Sequence, residues 1–526
     1  MTTQQDQTGQ MNFVQNVFKR YLPYSKPVKP RPLPLNHPDY VDDDSEPLSD
    51  CFRYPKIKGQ KRQRNKRLNY DPSIAFIYMY LEDFYVRNGI EMDEEISPFG
   101  EPMDISAEIK IIEVSPTGHG GVGILHEQAV LVPFTQKGDV VKVHIFRDNL
   151  VYYKGKVLEI IRPSAERVEP PCQYFGVCGG CQLQFLTYDE QIRQKQEHVA
   201  DAYSRLGISV AISKPIRSPR EYQYRTKLTP HYDKPRDLEM SQVPIGFNHF
   251  DSRKVLDIEE CTLISDKMNE RLGKLRNNIQ NMAEAPVNGA TLLIREGTQQ
   301  CWTGQEEYND TAYVVDDPKS FLTVHVNNIT FTLSSNSFFQ NNSLILPSFV
   351  NFIKQEIDTD YLVDAYCGVG LFALTCADAV KEVIGVEVAR VFVDNAVENA
   401  VNNNIMNCEF IEGQAEFIFK SIKFDSDNTT VIMDPPRKGS SKAFLDQLMD
   451  YNPKTIIYVA CGLYAQVRDV RYIMHGIWHD YVSTFEKDFR IERPKYVISS
   501  IQPVDLFPQT NHIESIVVFR RLDAKV

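Results

Sequence analysis

From about residue 336 to the C-terminus, strand-like and helix-like segments alternate, and this alternation is the feature that most constrains the fold. Short runs rich in Val, Ile and Leu are each followed by a longer mixed stretch, as in YLVDAYCGVGLFALTCADA. Such alternation predicts an α/β domain in which helices cover both faces of a parallel sheet. A chain of 526 residues is too long for one hydrophobic core. We therefore expect this doubly wound domain, at 336–526, to be one of several.

Three regions with other patterns precede this domain. Residues 1–95 are rich first in proline and acid and then in Lys and Arg, which predicts a disordered or extended arm. Near its end, IAFIYMYLEDFYV predicts a helix that packs against another part of the chain. Residues 104–164 contain short Val- and Ile-rich runs between turns, which predicts a small closed antiparallel barrel of the kind that binds single-stranded nucleic acid. Residues 165–335 mix both patterns, so we expect a central α+β domain.

Charge and cysteine content limit the classes of partner and compartment. With a formal charge of −12, the protein would have to bind a nucleic acid through local basic patches. The stretch KIKGQKRQRNKRLN is typical of a solvated run of charges, of a nuclear-import signal or of a contact with RNA phosphates. No run of about 18 apolar residues is present, so we expect no membrane span. Ten cysteines without a secretory signal indicate a reducing compartment, the cytoplasm or the nucleus, and leave the mitochondrion open.

Three loops of the C-terminal domain carry residues suited to binding a nucleotide-like ligand. Gly368 and Gly370 follow one apolar run and would let the backbone pass close to a ligand. Glu387 ends the next run, where a carboxylate can accept hydrogen bonds from both hydroxyls of a ribose. Asp434 ends a third run and is followed by two stiffening prolines. Any one loop could be an ordinary strand-to-helix turn, but three together predict a ligand site at the carboxyl edge of the sheet.

The order of these loops resembles that of the class I methyltransferases, which have a Rossmann-like domain and use S-adenosylmethionine. With DPPRKG, a cysteine at the end of the strand TIIYVA and the later FPQTNHIES, the chain is similar more narrowly to the RNA uridine-5-methyltransferases. The resemblance extends from about residue 104 to the C-terminus. It implies S-adenosylmethionine as cofactor, an OB-like barrel of the TRAM type at 104–164, and transfer RNA or another structured RNA as partner.

The resemblance also implies roles for individual residues. Carbon 5 of uracil takes a methyl group only after a thiolate has added to carbon 6, and a base must then remove the proton from carbon 5. By resemblance Cys461 is the nucleophile and Glu514 the proton acceptor. His512, two residues before Glu514, is expected to point to the same side of the strand. The methyl-donor contacts implied by the resemblance are, besides the glycine turn, Gln340, Tyr366, Glu387 and Asp434.

Two departures from the family pattern affect the shaping of these loops. The family usually has Cys-Asn-Pro where this chain has Cys461-Gly462-Leu463, and many members have Asn where this chain has Leu371. Because the nucleophile and base are present, we expect both changes to be tolerated. A reactive thiolate needs positive surroundings, which Arg437 and Lys438 are expected to supply.

A second group of cysteines has spacing suited to a metal. PPCQYFGVCGGCQLQ contains Cys172, Cys178 and Cys181, and Cys261 lies further along the chain. Four thiolates can hold a [4Fe–4S] cluster or zinc, and spacing alone does not choose between them. The motif could also persist without metal. Some members of the resembled family carry a [4Fe–4S] cluster with this arrangement, so we expect bound metal.

The stretch EYQYRTKLTPHY has the composition of an RNA-binding strand. Its tyrosines, Tyr222, Tyr224 and Tyr232, could stack on exposed bases while Arg225 and Lys227 meet phosphates. The alternative is an ordinary strand with one aromatic face. Because the resembled family uses a strand of this kind near the target base, we expect it to contact RNA.

We therefore predict an enzyme that makes 5-methyluridine in RNA, with the T loop of transfer RNA as the expected substrate and ribosomal RNA as the alternative. No obligatory protein partner is evident. A radical-type methylthiotransferase would need C-x3-C-x2-C rather than C-x5-C-x2-C. An N-methyltransferase would have an aromatic residue, not Arg437, after Pro-Pro, and would leave Cys461 without a role. An RNA chaperone with vestigial catalytic residues is the rival from outside the enzymes.

Overall fold

The computed structural model describes residues 56–57, 72–92, 95–96, 101–118, 120–205, 207–233, 238–282, 289–302, 308–414, 418–419, 422–476 and 495–522. The predicted arm and its basic stretch therefore lie largely outside the described residues. The helices of the described part are α1 (Pro72–Asn88), α2 (Tyr188–Ser204), α3 (Asp266–Gln280), α4 (Leu346–Gln355), α5 (Leu371–Thr375), α6 (Arg390–Asn402), α7 (Lys442–Tyr451) and α8 (Leu463–His475). Short 3-10 helices lie at Met240–Gln242, Ser343–Ile345, Ala377–Ala379 and Ser426–Asn428.

The N-terminal part of the described chain is built on a six-stranded sheet. A short parallel pair, β1 (Lys56–Ile57) and β2 (Glu95–Ile96), precedes it. The six strands are β3 (Glu101–Lys110), β4 (Glu113–Ser115), β5 (Gly120–Leu125), β6 (Gln128–Val132), β7 (Val140–Asp148) and β8 (Tyr152–Arg162). They are ordered β3-β7-β8-β6-β5-β4, with β6 and β8 parallel. The expectation of a purely antiparallel arrangement is therefore wrong, because the chain crosses from β6 to β8 through β7.

The sheet curls so that strands distant in its order approach each other. A Cβ added to Gly123 on β5 would lie 2.2 Å from Ile109 Cγ2 and 2.8 Å from the Lys110 carbonyl oxygen, both on β3. Helix α1 covers the sheet with buried residues that include Phe84 and Tyr85. The Tyr85 hydroxyl accepts a hydrogen bond from the Ala129 backbone N–H (2.8 Å), which joins the helix directly to β6. The prediction of a helix that packs against another part of the chain is confirmed.

The described central part contains small sheets and the helices α2 and α3. Its strands are β9 (Lys227–Leu228), β10 (His231–Tyr232), β11 (Gly246–Asn248), β12 (Val255–Asp257), β13 (Ala290–Thr291), β14 (Ile294–Trp302), β15 (Tyr308–Val315), β16 (Phe321–Val326) and β17 (Ile329–Ser334). They form the sheets β12-β11-β10-β13 and β15-β14-β9 and the hairpin β16-β17. Helix α3 begins at a capping residue, since Ser265 Oγ accepts a hydrogen bond from the Met268 N–H.

The C-terminal part is a seven-stranded sheet covered on both faces. Its strands are β18 (Tyr361–Asp364), β19 (Glu382–Glu387), β20 (Cys408–Glu412), β21 (Thr429–Met433), β22 (Thr455–Ala460), β23 (Tyr496–Val504) and β24 (Glu514–Arg521), in the order β20-β19-β18-β21-β22-β24-β23. The first five are parallel, and β24 is antiparallel to both of its neighbours. The prediction of a parallel sheet is confirmed for five strands; the antiparallel pair at one edge adds to it.

Burial explains the composition of these strands. Helices α7 and α8 pack on one face of the sheet, and α4, α5 and α6 pack on the other. Strands with both faces covered read as continuous apolar runs rather than as alternating ones. This accounts for TIIYVA in β22, in which every residue is buried. Within the described part of the chain, no helix has both the length and the apolar character that crossing a bilayer requires.

Candidate active site

The glycine turn and the acid after the next strand are joined by a hydrogen bond. Gly368 (φ +54°) and Gly370 (φ +93°) both have left-handed backbones between β18 and α5, a conformation that side chains disfavour. Glu387, half-buried at the end of β19, accepts a hydrogen bond from the Gly368 N–H (3.2 Å) on one carboxylate oxygen and from the Ala389 N–H (2.9 Å) on the other. A carboxylate accepts about four hydrogen bonds, so Glu387 retains acceptor capacity for a ligand.

Two aspartates lie at the ends of the neighbouring central strands. Asp364, which the sequence analysis missed, ends β18; Asp434 follows β21. Asp364 Oδ2 accepts a hydrogen bond from the Ala373 N–H (2.9 Å), whereas its Oδ1 is buried without a partner. Burial raises the pKa of each aspartate to about 7; repulsion from Glu387 adds to the effect at Asp364, and repulsion from Asp364 adds to it at Asp434. The sequence feature that could have identified Asp364 is its position as the last strand residue before the glycine turn.

The strand-end cysteine lies among charged groups from three loops. Cys461 follows β22 and is half-buried. Burial, and to a lesser extent the carboxyls of Glu514 and Asp434, raise the pKa of its thiol to about 12. The Arg437 guanidinium opposes this by its charge and by a hydrogen bond with the thiol. Arg437 thus supplies the positive charge expected from the sequence. Lys438 is exposed, and its carbonyl oxygen accepts a hydrogen bond from Arg468 Nη2 (3.1 Å).

Glu514 is the first residue of β24, opposite Val504 of β23. Its side chain is buried, and Oε2 has no hydrogen-bond partner. Burial raises the pKa of this carboxyl well above its ordinary value; Asp434 adds to the shift and Arg437 opposes it. His512 lies in the loop before β24 and not on the strand, so the expectation that it shares a strand face with Glu514 is wrong. The strand begins two residues later than that expectation required.

Gly462, the first departure from the family pattern, has a steric reason. A Cβ at this position would lie 2.3 Å from the Arg437 carbonyl oxygen, which is closer than any real contact. Glycine therefore lets the loop that carries Arg437 lie directly against the loop that carries Cys461. Leu371, the other departure, is buried in the apolar cluster beneath the glycine turn. Both residues pack the loops around the site and contribute no functional group.

The two other predicted methyl-donor residues are fixed by packing. Tyr366 is half-buried, with its ring 5.3 Å from that of Phe444 on α7. Gln340 is buried in the segment after β17. That segment is held by the next two residues: the Asn341 carbonyl accepts a hydrogen bond from the Thr226 N–H (2.8 Å), and Asn342 Nδ2 donates to Ser218 Oγ (3.0 Å).

Comparison with known proteins identifies the family. The family model described as tRNA (Uracil-5-)-methyltransferase matches residues 305–522. The tRNA (uracil(54)-C(5))-methyltransferase of Schizosaccharomyces pombe is 37% identical over 435 residues, which cover 79% of this chain and 78% of that protein. The chain belongs to the tRNA (uracil-5-)-methyltransferase family. The prediction of an RNA (uracil-5-)-methyltransferase is thereby confirmed.

Two further members of this family extend the comparison. The Saccharomyces cerevisiae tRNA (uracil(54)-C(5))-methyltransferase is 33% identical over 485 residues, covering 79% of this chain and 73% of that protein. The crystal structure of the Pyrococcus abyssi tRNA (uracil-54, C5)-methyltransferase in complex with S-adenosyl-L-homocysteine superposes with a TM-score of 0.55 at 22% identity, covering 78% of this chain and 100% of that one. The latter likeness supports the mixed α/β fold.

In the structure of the present protein, the four cysteines predicted to bind a metal line one cavity. A space of about 130 Å³ is lined by Cys172, Cys178, Cys181 and Cys261, by apolar side chains, and by polar residues that include Gln184, Arg225 and Glu260. Burial raises the pKa of Cys181 to about 12 and that of Cys261 to about 11, and the neighbouring thiols add to both shifts. Among the residues that the structure describes, however, no group of three or more His, Cys, Asp or Glu side chains is arranged to hold a metal ion.

The predicted RNA-stacking tyrosines are mostly in the core. Tyr224 and Tyr232 are buried, with exposed fractions of 1% and 3%, so the expectation that they stack on bases is wrong. Tyr222 is half-buried. The Tyr224 hydroxyl instead donates a hydrogen bond to the Pro508 carbonyl oxygen (3.0 Å), 284 residues away along the chain. The alternative of one ordinary strand is not found either, because Tyr222 and Tyr224 precede the two-residue strands β9 and β10.

Proposed function

We propose that this protein methylates carbon 5 of a uridine in transfer RNA, that the target is uridine 54, and that S-adenosylmethionine is the methyl donor. The observation that carries the proposal is the meeting of Cys461, Arg437, Asp434 and Glu514 at the ends of β21, β22 and β24. A nucleophile, a cation and a base are the groups that this reaction needs. The names of the two yeast relatives, which specify uracil 54, support the choice of nucleotide.

The residues around the glycine turn fit the proposed methyl donor. A Cβ at Gly368 would meet no atom within 4 Å, so there is open space beside the turn. Glu387 offers acceptors for ribose hydroxyls, and the buried, unpartnered oxygen of Asp364 favours a cationic ligand nearby. Gln340, Tyr366, Gly370 and Asp434 complete the proposed binding set. When bound, S-adenosylmethionine would supply an electrophilic methyl group attached to a positively charged sulfur.

The protein side chains carry the remaining steps. The Cys461 thiolate adds to carbon 6 of the uracil, forming a C–S bond and placing the electron pair of the 5,6 double bond on carbon 5 and the O4 carbonyl. Arg437 lowers the cost of forming the thiolate because its charge and hydrogen bond favour the ionised sulfur. After carbon 5 has taken the methyl group, Glu514 removes the proton from carbon 5. The electron pair of that C–H bond restores the double bond, and the C–S bond breaks to release Cys461.

We further propose that the six-stranded sheet is a TRAM-type module that holds the RNA, and that 104–164, 165–335 and 336–526 act as separate domains after a basic arm. A cleft of about 740 Å³ opens beside the sheet. Its lining includes the cationic Arg147 and Lys154, the aromatic Phe146 and Phe250, and His512, close in sequence to Glu514. Cations that meet phosphates and rings that meet bases suit a nucleic-acid strand. We place the protein in the cytoplasm or nucleus, with the mitochondrion still open.

The test of the reaction uses the purified protein with in-vitro transcribed RNA. Incubation with S-adenosylmethionine should convert one uridine per transfer RNA to 5-methyluridine, measured by mass analysis of the nucleosides. A transcript in which uridine 54 is replaced by cytidine should gain no methyl group. Methylation of ribosomal RNA but not of transfer RNA, or methylation that persists in the cytidine transcript, would contradict the proposed substrate.

We propose a [4Fe–4S] cluster for the four-cysteine cavity, since Cys172, Cys178, Cys181 and Cys261 line one space. The thiols would have to converge further than they do here, because they are not arranged as metal ligands. Protein prepared without oxygen should contain about four iron and four sulfide ions per chain. The variant Cys178→Ala should lose both. Zinc instead of iron, or neither, would contradict the cluster without affecting the proposed methylation.

A further inference from the structure

The loop 505–513 joins β23 to β24 and ends at the proposed base. Val504 and Glu514 face each other at the mouth of this hairpin, so the loop determines where Glu514 begins its strand. A connection of this length normally lies on the surface, with its backbone hydrogen-bonded to water. Here Asp505, Leu506, Gln509 and Thr510 are all buried.

The loop is held at Gln509, which has a left-handed backbone (φ +70°) and an exposed fraction of 1%. Gln191 on α2 makes a reciprocal pair with it. The Gln509 N–H donates to Gln191 Oε1 (3.0 Å), and Gln191 Nε2 donates to Gln509 Oε1 (2.9 Å). The Gln509 carbonyl oxygen accepts hydrogen bonds from the N–H groups of Gln182 (2.9 Å) and Leu183 (3.0 Å), which directly follow the cysteine motif. Four hydrogen bonds thus fix one loop residue to the central part of the chain.

Buried side chains of the central part also bind the rest of the loop. Tyr224 donates to the Pro508 carbonyl, as described above. Lys195 Nζ on α2 donates to Asp505 Oδ1 (2.6 Å) and to the Phe507 carbonyl oxygen (2.9 Å). Lys195 and Asp505 have exposed fractions of 2% and 0%, so this ion pair is shielded from water. The backbone carbonyls of three consecutive residues, 507 to 509, therefore accept hydrogen bonds from residues more than 280 positions earlier.

We propose that Gln191, supported by Tyr224 and Lys195, is a positioning residue for Glu514. This inference rests on the proposed function, because it assumes that Glu514 is the base. A general base must lie within hydrogen-bond reach of the proton it removes, and a misplacement of about 1 Å costs about 100-fold in rate. Residue 514 is the first of its strand and has no preceding ladder pair to hold it. The hydrogen bonds at Gln509 hold the chain before residue 514 in place of such a strand pair.

The inference predicts a defect confined to one half of the reaction. Loosening the loop should displace Glu514 but leave Cys461 after β22 and Arg437 after β21 in place. Addition of the thiolate and transfer of the methyl group should proceed, whereas proton removal should slow. The covalent link between Cys461 and RNA should then persist. A residue needed only for overall stability would lower every step together.

The test compares Gln191→Leu with Gln196→Leu, two variants of the same helix and residue type. Gln196 Nε2 donates to the Ile212 (3.0 Å) and Ser213 (3.3 Å) carbonyl oxygens, both of which lie outside the 505–513 loop. With methyl-labelled S-adenosylmethionine and tRNA, Gln191→Leu should reduce turnover about 10- to 100-fold and raise the fraction of protein covalently bound to RNA on a denaturing gel. Gln196→Leu should resemble the wild type in both. If Gln191→Leu does not fold, Tyr224→Phe removes only the hydroxyl that donates to the Pro508 carbonyl oxygen of the loop, and it should shift both quantities in the same direction.

The outcomes separate this inference from the proposed function. Glu514→Gln serves as the reference, since it removes the base itself. If Glu514→Gln accumulates the adduct while Gln191→Leu and Tyr224→Phe match the Gln196→Leu control, the positioning role is wrong and the proposed function stands. If Glu514→Gln turns over normally, the assignment of the base fails. Loss of turnover in Gln191→Leu without any adduct would show a general structural role and would also overturn the inference.

Discussion

Cys461→Ala will abolish methylation, with kcat/KM falling by on the order of 10⁴-fold or more, the scale on which a covalent nucleophile acts. Carbon 5 of uracil has no other route to sufficient nucleophilicity in this site, because the groups near the thiol are two carboxyls and a guanidinium. None of these can replace a sulfur nucleophile. The measurement is the transfer of labelled methyl groups to tRNA, with denaturing gels to detect the adduct. The variant should bind tRNA as the wild type does, since the substitution removes only one sulfur atom from the side chain.

Cys408→Ala provides the matched control for this variant. Cys408 is a half-buried thiol in the same sheet, at the start of β20, and its sulfur donates to the Ala373 carbonyl oxygen (3.7 Å). Its loss should leave methylation near the wild-type rate. Residual methylation by Cys461→Ala within about 10-fold of the wild type would overturn the covalent mechanism. If the wild-type protein and Cys461→Ala both promoted RNA folding and neither methylated RNA, the result would favour the alternative of an RNA chaperone with vestigial catalytic residues.

The raised pKa of Cys461 has a consequence for the order of events. At neutral pH the thiol is protonated in the free protein, because burial and two carboxyls disfavour the thiolate. A positively charged ligand beside Asp434 and Glu514 would reverse part of that balance, since it offsets the negative charge that now opposes ionisation.

The sequence was most informative where function depends on local pattern. The glycine turn, Glu387, Asp434 and Cys461 each follow an apolar run, and parallel strands bring the ends of such runs to one edge. Their meeting at this edge therefore follows from the sequence pattern alone. Glu514 reaches the same edge on an antiparallel strand, because the start of β24 lies beside the end of β22. Resemblance to the family identified that residue, and periodicity alone would not have done so.

Contacts between distant parts of the chain could not be predicted in this way. Tyr224 lies in a stretch whose composition is typical of an RNA contact. Its hydroxyl nevertheless donates a hydrogen bond inside the core to a residue 284 positions away. Gln191 is one of several glutamines on a polar helix, and nothing local distinguishes it from Gln196. The same holds for Gly462, whose reason is the approach of the Arg437 backbone from another loop. The role of each of these residues depends on tertiary contacts, which cannot be predicted from the local pattern of a single sequence.

Glu514→Gln will separate methyl transfer from product release. The substitution keeps the size of the buried side chain but removes its ability to accept a proton, so turnover should fall by about 10² to 10⁴-fold, the usual contribution of a general base. Because addition of Cys461 and methyl transfer do not need this base, the methylated uridine should remain bonded to the protein. Mass analysis of the trapped peptide should show Cys461 linked to methylated RNA.

The decay of that adduct gives an independent check on the role of Glu514. Burial raises the pKa of the Glu514 carboxyl well above its ordinary value, so its deprotonated, basic form grows with rising pH. In the wild type the adduct should therefore decay faster as the pH increases through the neutral range, whereas in Glu514→Gln the slow decay should not follow this dependence. Glu409→Gln, at an exposed position on β20, should behave as the wild type. An adduct that decays equally fast in Glu514→Gln and in the wild type would mean that another group removes the proton, and Asp434, which lies close enough to raise the pKa of both Cys461 and Glu514, would be the first candidate.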